Sequence, residues 1–178
     1  MTTVKLNDKT FSLFVSNNTI QQAITDVASR INNDYKEKLP LFMAILNGSF
    51  MFAADLLKKI NINCEITFVK LSSYSGTSST QQVKQLIGFN EDIKGREVVI
   101  LEDIIDSGLT MEHLLEKLET FQPAGIRIAS LLLKPDAFIK NFPIDYVGLH
   151  IPNDFIVGFG LDYNGLGRNL PDIYKIVI

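Results

Sequence analysis

Cysteine is nearly missing from this chain: Cys64 is the single one in 178 residues. No intrachain disulfide framework and no cysteine-based zinc site can be built from it, which suits a reducing, cytoplasmic setting. Positive charge is also short. Lys and Arg number 17 against 20 Asp and Glu, for a net charge of −3. Such a chain has no global attraction for nucleic acid or an anionic membrane, and no Lys/Arg-rich run stands out. No apolar run approaches the roughly 18 residues that a membrane span needs. The start, MTTVKLNDKTFSLF, has no basic segment leading into an apolar one, so no signal peptide is expected. Repeats, low-complexity tracts and obvious linkers are absent. So is the phosphate-cradling pattern G-x-x-x-x-G-K-S/T. GFGLDYNGLG (158–167) has paired glycines but carries Tyr163 where G-x-G-x-x-G needs its third.

What is there reads as an ordinary soluble globular protein, 46% hydrophobic and 21% charged. The length suits one domain with a full core, spanning 1–178. The first fifteen residues alternate weakly and predict a strand or flap. Ile20, Ala23, Ile24, Val27, Ala28 and Ile31 recur at helical spacing, with Asn18 and Gln21 as an expected capping pair. LFMAIL (41–46) is continuously apolar, as in a strand buried on both faces. A second helical pattern follows it at Phe50, Ala53, Ala54 and Leu57, and CEITFVKL (64–71) alternates like a half-buried strand. SSYSGTSSTQQ (72–82) predicts a long mobile loop. VVIL (98–101) predicts a strand, Met111, Leu114, Leu115 and Leu118 a helix, and GIRIASLLL (125–133) another strand. DYVGLHI and FIVGFG look like shorter strands. Strand–helix alternation of this kind predicts an α/β fold, with a central parallel sheet flanked by helices. Ligands of such sheets lie outside the carboxyl ends of the strands. Asn47-Gly48, the acids Glu102, Asp103 and Asp106, and Lys134 all fall at such ends.

The stretch VVILEDIIDSGLT (98–110) carries the chemistry. Carboxylates in a sheet interior are costly without partners. At a strand end, Glu102 and Asp103 suit a hard cation such as Mg²⁺ or sugar hydroxyls; the bland reading is a pair of solvated acids opening a loop. DSGLT then leads into a helix, whose free N–H groups form an anion site that Gly108 lets a ligand approach. Ser107 and Thr110 add hydroxyls. A Ser or Asp at that place also serves simply as an N-cap, and on these residues alone both readings stand. Acids for a diol or metal, one acid in a turn and a phosphate cradle together match a ligand with a ribose and a phosphate.

This segment resembles the phosphoribosyl pyrophosphate signature of type I phosphoribosyltransferases, and LEDIIDSGLT is most similar to the hypoxanthine-guanine members. The resemblance covers nearly the whole chain. It implies that family's fold, with a small hood formed by the N- and C-terminal segments. It implies transfer of a 5-phosphoribosyl group from phosphoribosyl pyrophosphate to N9 of hypoxanthine or guanine in purine salvage, with Mg²⁺, in the cytoplasm, by a homodimer or homotetramer with no nucleic-acid or membrane partner. It implies Glu102, Asp103, Ile104, Ile105, Ser107, Gly108, Leu109 and Thr110 around the phosphoribosyl group and Asp106 as the catalytic base. LNGSFMFAADL (46–56) resembles the pyrophosphate loop and its helix, which places Leu46, Asn47 and Gly48 on pyrophosphate. In relatives the Leu46-Asn47 peptide is often cis, and Lys or Arg commonly stands at Asn47. Arg168, in GLDYNGLGRNLPDI (160–173), joins that set. Ser73 and Tyr74 resemble the recurring pair of the catalytic loop. Lys134, in SLLLKP, is implied to donate to the purine 6-oxo group; DYVGLHIPNDF (145–155) resembles the base pocket, with Tyr146 stacking and the Val147 backbone reading the purine edge. Asn153 stands where relatives often have an Asp that can bind a second Mg²⁺, and with Glu102 and Asp103 it completes the implied metal set, Asp154 being the substitute. Two alternatives remain open on the sequence: an attenuator-type RNA-binding regulator on the same fold, and a transferase preferring guanine and xanthine.

Overall fold

The computed structural model describes residues 2–73, 83–87 and 91–177. Its central sheet has six strands. These are β3 (Leu41–Leu46), β4 (Glu65–Ser73), β5 (Val83–Ile87), β6 (Glu97–Ile105), β7 (Gly125–Leu133) and β8 (Tyr146–His150), in the spatial order β5-β4-β3-β6-β7-β8. All neighbouring pairs are parallel except β4 with β5, which is antiparallel and was not foreseen from the sequence. A second sheet of four strands joins the chain ends: β1 (Thr3–Leu6), β2 (Lys9–Val15), β10 (Ile173–Ile176) and β9 (Ile156–Val157). This is the expected hood.

Strand alternation explains the layers. Phe42, Ala44, Val99, Leu101, Ala129 and Leu131 pack on one face, against α1 (Asn17–Asp34) and α2 (Phe50–Leu57). Leu41, Met43, Val98, Ile100 and Ile128 pack on the other, against α3 (Leu109–Glu119). A strand that is apolar at every position has to be covered on both sides, and LFMAIL is. The buried positions of α1 are the six read from its periodicity, but its cap is Ser16, whose side chain accepts from the Thr19 amide, and not Asn18. Asn18 already lies inside the helix.

One register detail shapes the carboxyl edge of the sheet. β3 pairs with β6 only from Leu41↔Val98 to Ala44↔Leu101, whereas β7 stays with β6 to Ile105↔Leu133. β6 therefore runs four residues past the expected Leu101, and from Glu102 onward its β3 side is open. The acids sit inside the strand, at the point where one neighbour has left.

Candidate active site

Across that gap the loop after β3 meets Asp103. The Leu46-Asn47 peptide is cis. Ser49, fully buried, donates from its hydroxyl to the Ile45 carbonyl (2.6 Å) and so ties the loop back to its own strand. A Cβ at Gly48 would run into the Asp103 carboxylate, so only glycine lets the loop lie this close. Gly160 in turn has no room for a Cβ because the Gly48 carbonyl occupies that space. Arg168 donates to the Gly160 carbonyl (2.6 Å) and pairs with Asp162 (2.6 Å). Leu46, Asn47, Gly48 and Arg168 are thus brought together, by a glycine-to-glycine contact between distant parts of the chain. Asn47 itself is exposed.

Successive residues of β6 point to opposite faces. Asp103 goes to the Gly48 side, and Glu102 lines a cleft of about 120 Å³ with Asp106, Ser107, Gly108 and Thr110. Glu102 Oε1 accepts from the Asp103 amide and Asp103 Oδ1 from the Ile104 amide. Burial, and then the neighbouring Asp103 charge, pushes the Glu102 carboxyl well above the ordinary carboxylate range. Two crowded acids with oxygen donors only are a set that suits a hard cation or a sugar diol. Among the described residues no three His, Cys, Asp or Glu side chains gather into a metal cage. Mg²⁺ commonly needs only one or two carboxylates when a substrate phosphate supplies the rest, so the pair fits that ion.

The turn leads to α3, whose N-cap is Gly108 at φ 84°, with no side-chain cap bond. Asp106 is therefore not the cap, and the first-turn amides of α3 are left for a ligand. The Ser107 hydroxyl accepts only a long bond from the Leu109 amide (3.4 Å). Lys134 follows β7; its amide donates to the Ile105 carbonyl (3.0 Å), which sets it beside the turn. Its ammonium, on a nearly buried side chain, lies 3.0 Å from Asp106 Oδ2.

The expected base pocket is only partly assembled. Tyr146 opens β8, where it pairs with Ala129 in the middle of β7, five residues short of Lys134, and it is buried. Its hydroxyl donates to Asp34 (2.8 Å) and accepts from Arg127 (2.6 Å), while burial pushes the phenol up to about 12. The Val147 carbonyl accepts from Arg30 (2.8 Å). Both residues lie away from Asp106 and Lys134, and a purine-stacking role for Tyr146 is corrected on that ground. Tyr146→Phe is expected to lower stability by about 1–2 kcal/mol through the lost hydrogen bonds, read by a denaturant melt, with the Michaelis constant for base unchanged. Because phenylalanine keeps the ring, Tyr146→Leu tests stacking: a defect there confined to base affinity would restore that role.

Asn153 is exposed in the turn after β8, and Asp154 faces Lys175 of the hood at 3.7 Å. Neither contacts Glu102 or Asp103, and the implied three-residue metal set is not assembled. Ser73 closes β4, and Tyr74 with the rest of the expected loop lies outside the described residues. The sequence reading missed Asp162, which holds Arg168 and also accepts from the Gly165 amide (2.7 Å). An Asn-Gly pair is a strong turn signal, and Asn164-Gly165, both at positive φ between the bridged Tyr163 and Leu166, could have drawn attention to it.

The comparisons decide the family. A model of the phosphoribosyl transferase domain matches residues 14–164. The chain belongs to the phosphoribosyl transferase family. Similar relatives within it include the hypoxanthine-guanine phosphoribosyltransferase of Streptococcus pyogenes, 42% identical over 160 residues and 89% of each chain. The hypoxanthine phosphoribosyltransferase of Escherichia coli is 40% identical over 162 residues, 89% of this chain and 91% of its own. Among solved structures, a hypoxanthine-guanine phosphoribosyltransferase from Bacillus anthracis superposes with a TM-score of 0.84 at 34% identity, covering 94% of this chain and 97% of that one. The expected fold, a parallel sheet flanked by helices under a hood, is thus the family's fold.

Proposed function

We propose that this phosphoribosyltransferase moves the 5-phosphoribosyl group from phosphoribosyl pyrophosphate to N9 of hypoxanthine, and of guanine, releasing pyrophosphate and forming IMP or GMP in purine salvage. The names of the relatives support this reading, and the Lys134–Asp106 pair carries it. A 6-oxopurine presents O6 and N7–H as neighbours on one edge. An ammonium that donates and a carboxylate that accepts, 3.0 Å apart, meet those two atoms in the right sense. Adenine offers a 6-amino donor to the same ammonium and is disfavoured.

The amides of the 107–110 turn with the Ser107 and Thr110 hydroxyls hold the 5-phosphate. Gly48 and Arg168 hold pyrophosphate, and Glu102 and Asp103 hold the ribose diol or the metal. C1′ gains oxocarbenium character as the leaving group departs, as at a glycosidic centre. Asp106 takes the N7 proton as N9 attacks. Glu102 and Asp103 would hold Mg²⁺, which would supply positive charge against the pyrophosphate. Phe155, 47% exposed after the turn that leaves β8, is the aromatic ring offered for stacking in place of Tyr146. The reading takes the chain as one catalytic domain in the cytoplasm. A homo-oligomer is supported by half-exposed Phe50, Ile66 and Phe68 on one face of the sheet and α2.

The experiment is a panel of hypoxanthine, guanine, xanthine, adenine and uracil with phosphoribosyl pyrophosphate and Mg²⁺, following nucleotide formation. Excess chelator is expected to stop turnover and added Mg²⁺ to restore it; full turnover in chelator contradicts the metal assignment. Nucleotide from xanthine and guanine but not hypoxanthine would move the base preference.

A further inference from the structure

The phosphate turn, Asp106 to Thr110, contains no cation, and one turn into α3 stands an acid. Glu112 is in the first turn, its amide bonded to the Gly108 carbonyl (2.9 Å). A free carboxylate there would repel a phosphate bound at the same helix end. The segment after Lys134 answers this. It folds back over the turn: the Ile139 amide donates to the Ser107 carbonyl (3.3 Å), and a Cβ at Gly108 would meet Phe138 Cε2 at 2.7 Å and Lys140 Cγ at 2.9 Å. Lys140 thus lays its stem across Gly108 and sets its ammonium 2.7 Å from Glu112 Oε2, with side chains only 19% and 35% exposed.

We propose that Lys140 is a positioning residue for phosphoribosyl pyrophosphate: by pairing with Glu112 it removes an acid's repulsion from the 5-phosphate cradle and holds the Gly108 turn from behind. This rests on the phosphate reading of that turn. The strap formed by 134–140 also joins the base-reading ammonium of Lys134 to the phosphate turn through backbone bonds at Ile105 and Ser107, so the two subsites share one support.

The test is steady-state kinetics on the full chain. Lys140→Met is expected to raise the Michaelis constant for phosphoribosyl pyrophosphate about three- to tenfold relative to the parent protein, a ratio that shrinks at high salt as screening weakens the exposed carboxylate. The value for hypoxanthine and kcat should hold. Lys140→Arg should behave as the parent, and Lys140→Met combined with Glu112→Gln should recover most of the loss, because the repelling charge is gone. An unchanged constant in Lys140→Met overturns the inference, and so does a double variant as impaired as the single one, which would make Lys140 a packing residue. Should Lys140→Met fail to fold, Glu112→Gln alone decides: the constant must stay equal or fall, and a rise overturns the inference. A parent protein that forms no nucleotide would overturn the functional reading itself, an outcome distinct from an active parent with an indifferent Lys140→Met.

Discussion

Asp106→Asn is expected to lower kcat by about 10²–10⁴-fold, the usual share of general acid–base catalysis, with binding of phosphoribosyl pyrophosphate and melting temperature nearly unchanged. On the proposed reading Glu102 and Asp103 serve the ribose or the metal, and Ser107 to Thr110 the phosphate. Asp106 lies between these groups, just past β6. Its simplest structural role, capping α3, is taken by Gly108. Its side chain is about half exposed at 53%, so its pairing with Lys134 contributes little to stability. What remains is a carboxylate 3.0 Å from the Lys134 ammonium, which on the proposed reading takes the N7 proton. Asparagine keeps the shape and can still accept a bond from Lys134, but it cannot take the proton. Turnover near the parent rate would remove Asp106 from the chemistry.

Lys134→Ala should raise the Michaelis constant for hypoxanthine by about 10- to 150-fold, the equivalent of roughly 1.5–3 kcal/mol for a lost charge-assisted hydrogen bond. The constant for phosphoribosyl pyrophosphate should change far less. The side chain is nearly buried, and its amide is anchored to Ile105. Its direction is therefore set before the base arrives, and little side-chain entropy is left to lose. Equal losses on both substrates would mean that Lys134 supports the strap and not the base. Adenine turnover that survives in the parent protein would count against a donor facing position 6.

Local chemistry was legible in the sequence. Acids following an apolar run, a Ser-Gly-Leu-Thr turn before a helical period, and Asn-Gly after a second buried strand each pointed to the carboxyl edge of the sheet, where ligands of such folds lie. They do so because alternation, helix period and the cost of a buried charge act on neighbours in the chain. The six core positions of α1 and the two-sided burial of LFMAIL follow from the same local rules. What failed needed distance. Tyr146 opens the expected strand, away from the carboxyl end that faces ligands in such a sheet, but what its side chain meets there is not written in the pattern. That depends on its register with β7, which puts Tyr146 opposite Ala129 and beside Arg127 and Asp34. The hydroxyl then finds a better set of partners in the wall of the fold than at the site.

The sequence by itself determined the residue types of the site and the strand-to-helix turns that carry them, because those depend on short-range sterics and hydrogen bonding. Only the tertiary structure decided which of them meet. β3 leaves β6 at Leu101, so that Glu102 lines the cleft and Asp103 meets the Gly48 loop. Gly48 and Gly160 touch and bring Arg168 to the loop, and Lys134 comes within 3.0 Å of Asp106. Each is a contact between segments far apart in the chain, fixed by sheet order and close packing, and no window of neighbouring residues contains it.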